Sequence, residues 1–426
     1  MGWKRGSVIL EAKPYAHVIC QKFREKRCNF CLVSSENVKK CASCKMMWYC
    51  GISCQKEDWK IHKVECQIMK RVPDTPTDSL RLYLRLIIRY LAGAAGTKHP
   101  EDESPCLRTF NDLMAHADRI KVDPTRTGQF RVAADFLRAY AYGILQLPSE
   151  DVLLDIFGRM VINTFTIVDE MLQDVGVAVY TSPSILDHRC WPNAVATFDG
   201  RKVIIRAVDN ITSDSLSDVF VCYVDPLATS TERNEQLEQQ YYFTCNCDRC
   251  QNKEVDTMMC SVEGSNEGDL RMVKDCLEKV ESMQKEQGNP KDILAACEQC
   301  LKKVTLPFGN VYLVRLVGTA FDAAISAEEW ETALLMGIKN YKPYSILHHP
   351  FNPCVGYLLA NMGKLLMFLG RLSEAFIHLR KALENFTVSL GEDHYLYKEV
   401  REMMAQCEAE MDNQPQDRGL VSVPMG

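Results

Sequence analysis

The spacing of apolar and polar positions divides the chain into a mixed first part and a helical second part. Residues 80–160 carry apolar side chains mainly at helical spacing, after a Pro/Thr break at 74–78 that offers an N-cap. Short β-branched or aromatic runs then predict four strands, at 175–180, 194–198, 202–208 and 219–224. Gly200 is expected in a tight turn between the second and third of them. A polar linker is expected at 260–269, and the pattern is helical again from 270 to about 411.

The last helical region has the spacing of small and large residues that is typical of a tetratricopeptide (TPR) helix pair. The positions concerned are Gly363, Leu366, Leu369, Gly370, Ala375, Leu379, Ala382 and Leu383. Gly318 and Ala333 suggest a looser earlier unit, and an ordinary helical bundle is the alternative interpretation. The tail, 413–426, is predicted to be disordered.

The apolar stretch 80–95 is predicted to be an amphipathic helix and not a membrane span, because Arg81, Arg85 and Arg89 interrupt it. The apolar run 7–12 is too short for a secretory signal. Gly6 stands where a myristoylation motif requires Ser or Thr. The chain is therefore expected to be soluble and intracellular.

Length and composition fit two or three soluble domains, and the cysteines narrow the chemistry. The 426 residues include 20 cysteines, and in a reducing compartment such clusters more often bind metal than form disulfides. The net charge of −6 argues against a general nucleic-acid binder. Residues 20–71 nevertheless carry twelve Lys/Arg and five Asp/Glu, which gives a basic region of +7. Small zinc modules are commonly basic, so this charge alone does not assign a partner.

The first 70 residues contain the pattern C-x2-C-x9-C-x2-C-x5-C-x3-C-x7-H-x3-C. The ligands are Cys28, Cys31, Cys41, Cys44, Cys50, Cys54, His62 and Cys66. Each CxxC turn presents two thiolates to one ion, and His62 and Cys66 lie one helical turn apart. Eight ligands for two zinc ions leave no open coordination position, so we expect structural zinc. A RING finger is the competing interpretation, although its spacings are longer.

This pattern resembles the MYND finger, including Tyr49-Cys50, Cys54-Gln55, Trp59 and the segment 62–66. The resemblance implies an interleaved pairing. Cys28, Cys31, Cys50 and Cys54 would hold one ion, and Cys41, Cys44, His62 and Cys66 would hold the other. It also implies binding of a proline-rich peptide or a weak contact with nucleic acid.

Three later segments resemble a SET-domain lysine methyltransferase. Residues 185–193, ILDHRCWPN, are similar to the NHSCxPN signature, and 222–225, CYVD, are similar to the strand that ends in the catalytic tyrosine. Cys245, Cys247 and Cys250 resemble the post-SET zinc triad. Three thiols make an incomplete tetrahedron, and in the family the fourth ligand corresponds to Cys190.

Over residues 7–410 the chain resembles the SET- and MYND-domain methyltransferases (SMYD family), also at 163–167, 175–177 and 232–237. The implied fold class is α+β, a β-rich SET domain split by a MYND finger and a helical insertion, followed by an all-α TPR-like domain. The implied boundaries are 1–27 for an N-terminal SET remnant, 28–66 for the finger, 67–158 for the helical insertion, 159–227 for the SET core, 228–252 for the post-SET zinc region and 268–412 for the TPR-like domain.

The resemblance implies an enzyme that transfers a methyl group from S-adenosylmethionine to a protein lysine, with three zinc ions. Tyr223 would be catalytic and would also contact the cofactor, and Phe165 and Tyr241 would line the lysine channel. Phe243 would stack on the adenine, and His116, Ser184, Asp187 and His188 would contact other parts of the cofactor. Taken singly, Phe165 and Phe243 are also ordinary core residues. The family implies a cytoplasmic and nuclear chromatin regulator, with the TPR-like helices as a site for a chaperone-type or other peptide.

Three departures from the family bear on activity. The GxG loop that cradles the cofactor is not found ahead of 6–10, Asp187 replaces the signature asparagine, and the segment 213–218 replaces a shorter acidic turn. A carboxylate at Asp187 can accept a hydrogen bond from the cofactor ammonium but cannot donate one. The alternative function is therefore a catalytically weak or inactive scaffold that binds partners in transcription regulation.

Overall fold

Short strands and helices alternate up to residue 253, and helices are the regular elements of the described residues that follow. The computed structural model describes residues 2–98, 104 and 106–413, and the chain divides into two units, 1–253 and 254–426. The predicted disordered tail lies outside the described residues, except for Asn413, which ends the last helix. The mixed α/β composition predicted from the sequence is confirmed.

The first unit contains ten strands among its described residues. They are β1 (Val8–Ala12), β2 (Ala16–Ile19), β3 (Lys39–Lys40), β4 (Trp48–Tyr49), β5 (Thr164–Val168), β6 (Asp174–Val179), β7 (Asp187–His188), β8 (Ala194–Asp199), β9 (Lys202–Ala207) and β10 (Phe220–Val221). Three of the four predicted strands are confirmed, as β6, β8 and β9. The fourth is shorter than predicted, because only Phe220 and Val221 pair in a sheet. The alternation of polar and apolar residues does not predict β2, since all four of its residues are buried.

Three of the four sheets described in this unit include a pairing between strands that are distant in sequence. The orders are β1-β9-β8, β2-β6-β5, β10-β7 and β3-β4. The β10-β7 pair is parallel, and its register places Phe220 beside Asp187 and Val221 beside His188. Gly200 turns the chain between β8 and β9 with a φ of 56°. A Cβ at Gly200 would lie 2.8 Å from the carbonyl oxygen of Cys31, so glycine is needed there for close approach as well as for the turn.

Seven α-helices lie among the described residues of the first unit. They are α1 (Ile52–Met69), α2 (Asp78–Arg89), α3 (Ala117–Val122), α4 (Pro124–Tyr140), α5 (Glu150–Asn163), α6 (Ser230–Tyr241) and α7 (Asp248–Gln251). The predicted N-cap in segment 74–78 is Thr77, whose side chain accepts a hydrogen bond from the Leu80 amide. Arg81 and Arg85 of α2 are buried, so α2 is not simply amphipathic and its buried face carries two cations.

Within residues 254–413, the described part of the second unit, the regular elements are helices. They are α8 (Lys253–Cys260), which begins at the unit boundary, α9 (Glu267–Lys285), α10 (Pro290–Leu301), α11 (Val311–Ser326), α12 (Trp330–Leu347), α13 (Pro353–Phe368), α14 (Leu372–Ser389) and α15 (Tyr395–Asn413). The predicted linker is shorter than expected, because α9 already begins at Glu267. α13 and α14 pack closely: a Cβ at Gly363 would lie 2.6 Å from two side-chain atoms of Leu379. Among the described helices of the chain, none is both long and apolar enough to cross a bilayer.

Candidate active site and metal centres

The first four-ligand cluster gathers Cys28, Cys31, Cys50 and Cys54, with all four sulfur atoms within 4.8 Å of one another. Cys31 and Cys50 Sγ are 3.8 Å apart, and Cys50 and Cys54 Sγ are 3.5 Å apart. A tetrahedral zinc with Zn–S bonds of about 2.3 Å requires sulfur atoms about 3.8 Å apart. The donor set and its spacing therefore fit zinc.

The second cluster consists of Cys41, Cys44, His62 and Cys66, all buried. Cys41 and Cys66 Sγ are 3.9 Å apart, and Cys44 Sγ is 3.6 Å from His62 Nε2. Helix α1 supplies His62 and Cys66, one turn apart, and the loop before β4 supplies the other two ligands. The two clusters interleave along the chain in the way that the MYND resemblance implies. This site also fits zinc.

A buried ion network lies behind the second cluster. His62 Nδ1 is 2.9 Å from Glu65 Oε2, so the ligand donates its other ring proton to a carboxylate, as zinc-bound histidines commonly do. Glu65 in turn receives hydrogen bonds from Arg81 and Arg85 of α2. Arg85 also donates to both carboxylate oxygens of Asp58, at 2.8 and 3.0 Å. Because two guanidinium groups balance these two carboxylates, the group Asp58–His62–Glu65 is an ion network and not a fourth metal site.

The charges in this network set the protonation of its acids. Burial is the largest single influence and would raise the pKa of Asp58 and Glu65, but Arg85 and His62, joined at Glu65 by Arg81, together hold both pKa values below their usual range. Arg85 Nη1 also donates to the main-chain carbonyl of His17 in β2, at 3.2 Å. The finger, helix α2 and strand β2 are therefore joined by one set of buried charges.

The third cluster joins Cys190 to the later cysteines Cys245, Cys247 and Cys250, with all sulfur atoms within 4.8 Å of one another. Cys190 and Cys250 Sγ are 3.5 Å apart. Four thiolates at this spacing fit a third zinc ion.

Arg233 is a buried cation beside this cluster that the sequence pattern does not assign. Its Nε donates to Cys190 Sγ at 3.2 Å, and its Nη2 donates to Cys250 Sγ at 3.6 Å. Four thiolates and Zn²⁺ together carry a charge of −2, so a buried guanidinium lowers the cost of placing that charge in the interior. Segment 232–237 resembles the family, but its letters alone do not show that the arginine faces sulfur.

Tyr223 lies where the parallel β7-β10 pair brings the signature segment against the chain that follows β10. Its backbone N–H donates to His188 Nδ1 at 3.0 Å, and its hydroxyl donates to the Leu186 carbonyl. Burial, with the nearby Asp187 carboxylate, raises the pKa of Tyr223 well above its usual value of 10. Tyr223 is therefore a neutral, positioned hydroxyl at physiological pH.

Aromatic rings surround this tyrosine. The ring of Tyr241 lies 4.9 Å from that of Tyr223, and the ring of His188 lies 5.2 Å from it, measured between centroids. Phe243 is 6.1 Å from His188 and 6.4 Å from Tyr241. The side chain of Asp187 is exposed beside this group. The structure thus brings five of the predicted site residues together.

The other predicted pocket residues have their own partners. Phe165 contacts the ring of Tyr180 edge-on, at 5.4 Å, and the Ser184 hydroxyl donates to the Tyr180 carbonyl at 2.6 Å. His116 precedes α3 in the left-handed conformation, and its ring lies 5.6 Å from Tyr242. The roles of these three residues toward a cofactor or substrate stay predictions.

Comparison with known proteins gives matches of two kinds. Residues 20–66 match the MYND finger family. The chain is 31% identical over 409 residues to histone-lysine N-methyltransferase SMYD3 of Homo sapiens, which covers 95% of this chain and 93% of that protein. It is 29% identical over 410 residues to N-lysine methyltransferase SMYD2 of Homo sapiens, with coverage of 93% and 92%. For N-lysine methyltransferase SMYD2-A of Danio rerio the identity is 28% over 418 residues, with coverage of 95% and 94%.

Proposed function

The chain belongs to the SMYD family of lysine methyltransferases, and from this premise we propose that it transfers a methyl group from S-adenosylmethionine to a lysine of a protein, histone or non-histone. The observation that carries the proposal is the environment of Tyr223. Its backbone and its hydroxyl are both held by the signature segment, and aromatic rings and one exposed carboxylate lie beside it.

The residues around Tyr223 suit the two partners of this reaction. When bound, S-adenosylmethionine supplies an electrophilic methyl group and carries both a cationic ammonium and a flat adenine. Asp187 is an exposed carboxylate that would accept a hydrogen bond from the ammonium. Phe243 is half-buried, and its ring offers a surface on which an adenine would stack. The residues present therefore fit the cofactor.

Tyr223 and Tyr241 would contact the substrate lysine. Tyr241 is half-buried, and burial raises its pKa above the usual value, so its hydroxyl also stays neutral. A channel walled by neutral aromatic rings disfavours a charged ammonium, which lowers the pKa of an incoming lysine and increases its nucleophilic free-base form. The Tyr223 hydroxyl donates a hydrogen bond to the Leu186 carbonyl, and the lone pairs of its oxygen remain available to orient the amine. Its part is orientation, not proton abstraction.

Two measurements on the zinc-loaded full chain test this function. Isothermal titration calorimetry with S-adenosylmethionine should show saturable binding. Transfer of tritiated methyl from S-adenosylmethionine to a panel of histones and lysine peptides should then be detectable. Tyr223→Phe should reduce that transfer by about 100-fold or more while the cofactor still binds.

The matched control is Tyr83→Phe. Tyr83 is a buried tyrosine whose hydroxyl likewise donates to a backbone carbonyl, that of Leu153 at 2.7 Å, but it lies on α2 in the helical insertion. It should lose some stability and keep methyl transfer. If S-adenosylmethionine gives no heat of binding, the enzyme proposal is wrong and the scaffold alternative is favoured.

A further inference from the structure

The imidazole of His188 connects the third metal cluster to the backbone of Tyr223. On one side its Nδ1 accepts the Tyr223 N–H at 3.0 Å. On the other side its Nε2 lies 3.2 Å from Cys190 Sγ. The side chain is buried, with 9% of its surface exposed, so no water competes freely for either contact. Both ring nitrogens therefore have protein partners.

The two contacts fix the direction of each hydrogen bond. A backbone N–H can only donate, so Nδ1 must be the unprotonated nitrogen of a neutral imidazole. The proton then sits on Nε2 and points at the sulfur of Cys190, which accepts it as a thiolate.

Arg233 holds the same sulfur from another direction. Its Nε–H donates to Cys190 Sγ at 3.2 Å, so two N–H groups converge on this thiolate. A thiolate bound to a metal and to two donors has little freedom to move, and donors of this kind orient the ligands of a metal site. Cys190 is thus a rigid anchor, and His188 transmits its position to the strand end that carries Tyr223.

We infer that His188 is a positioning residue through which the third zinc site fixes Tyr223. Each ring nitrogen has its own role, separate from that of the zinc ligand in the signature segment. Nε2 anchors the ring on Cys190, and Nδ1 sets the backbone of Tyr223. The kinetic consequence rests on the proposed methyltransferase function, whereas the structural consequence does not.

A pair of substitutions separates the two roles. The amide of asparagine reaches the place of Nδ1, so His188→Asn keeps an acceptor for the Tyr223 N–H and loses the donor to Cys190. The amide of glutamine reaches the place of Nε2, so His188→Gln keeps the donor to Cys190 and loses the acceptor for Tyr223. A ring that merely fills space would give the two variants the same behaviour.

The first readout is hydrogen exchange of the Tyr223 amide in the full chain, labelled with 15N-tyrosine and assigned with Tyr223→Phe. In His188→Gln the Tyr223 amide should exchange at least tenfold faster than in the unsubstituted chain. In His188→Asn its exchange rate should stay within about twofold of the unsubstituted value. The second readout is the rate at which a colorimetric chelator removes the third zinc. That rate should rise in His188→Asn and change little in His188→Gln.

His17→Asn is the control for a buried histidine outside this site. His17 is 5% exposed, and its Nε2 lies 2.9 Å from the Phe30 carbonyl. Its substitution should lower the melting temperature without changing exchange at Tyr223. If His188→Gln does not fold, fast exchange at Tyr223 in the folded His188→Asn chain overturns the inference. Equal exchange rates in the two folded variants overturn it as well.

The kinetic readout is a fall in kcat that is larger for His188→Gln than for His188→Asn. If the unsubstituted chain transfers no methyl group, the proposed function fails, and the exchange and zinc-release measurements still decide the role of His188. If the chain is active and the Tyr223 amide is unaffected in His188→Gln, the inference fails and the function stands.

Discussion

Replacing Arg85 with methionine tests whether buried ion pairs stabilise the packing of the finger within the first unit. Arg85 is 1% exposed and donates to Glu65, Asp58 and the His17 carbonyl. The network has two carboxylates and two guanidinium groups, so Arg85→Met leaves one buried negative charge without a counter-ion. Removing one partner of a buried ion pair costs about 3–5 kcal/mol, several times the value of an exposed pair.

The assay is equilibrium unfolding in urea followed by tryptophan fluorescence, since Trp48 and Trp59 lie in the finger. The control is Arg138→Met, which removes ion pairs with Asp135 and Glu150 at about half-exposed positions. That control should change the free energy of unfolding by no more than about 0.5 kcal/mol.

A second variant measures the coupling within the network. Asp58→Asn with Arg85→Met restores zero net charge, because it removes one acid together with one base. The double variant should be less destabilised than the sum of the two single variants, by about 1–3 kcal/mol. Simple additivity, or an Arg85→Met cost as small as that of Arg138→Met, would refute the reasoning.

Three further outcomes are expected. Native mass spectrometry should show three zinc ions on the chain and two on Cys190→Ser, because the finger keeps its own eight ligands. Gly363→Ala should destabilise α13 and α14 by about 1–3 kcal/mol, since its Cβ would meet Leu379. Gly128→Ala in α4, whose Cβ would contact nothing beyond its own helix backbone, should stabilise the chain by up to about 1 kcal/mol. Burial lowers the pKa of His17 to about 3, so its contribution to stability is complete above its usual pKa of about 6.5 and declines as the pH falls toward 3. The melting temperature of the unsubstituted chain should therefore fall relative to that of His17→Gln between pH 7.5 and pH 5.

Residues whose spacing reflects chemistry could be predicted from the sequence. The metal ligands in the first 70 residues occur at intervals set by CxxC turns and one helical turn, and the structure gathers them as the family resemblance implies. The helices and three of the four predicted strands follow from periodicity in the same way.

The buried arginines that support the metal ligands could not be predicted, because no local sequence pattern identifies them. Arg81 and Arg85 look like charges that interrupt an apolar stretch, and only the fold shows that they face Glu65. Arg233 likewise lies in a polar helix, and only tertiary structure turns it toward Cys190 and Cys250. Strand β2 has no alternating pattern because both of its faces are buried.

The sheet pairing has a consequence for how the first unit forms during translation. Val8 pairs with Arg206 and Ala16 pairs with Val179, so both N-terminal strands leave the ribosome long before their partners exist. The finger, by contrast, can capture both of its zinc ions as soon as Cys66 has emerged. A nascent chain would therefore carry an early, metal-closed element directly after two unpaired strand segments, which makes those segments the natural sites for chaperones to protect.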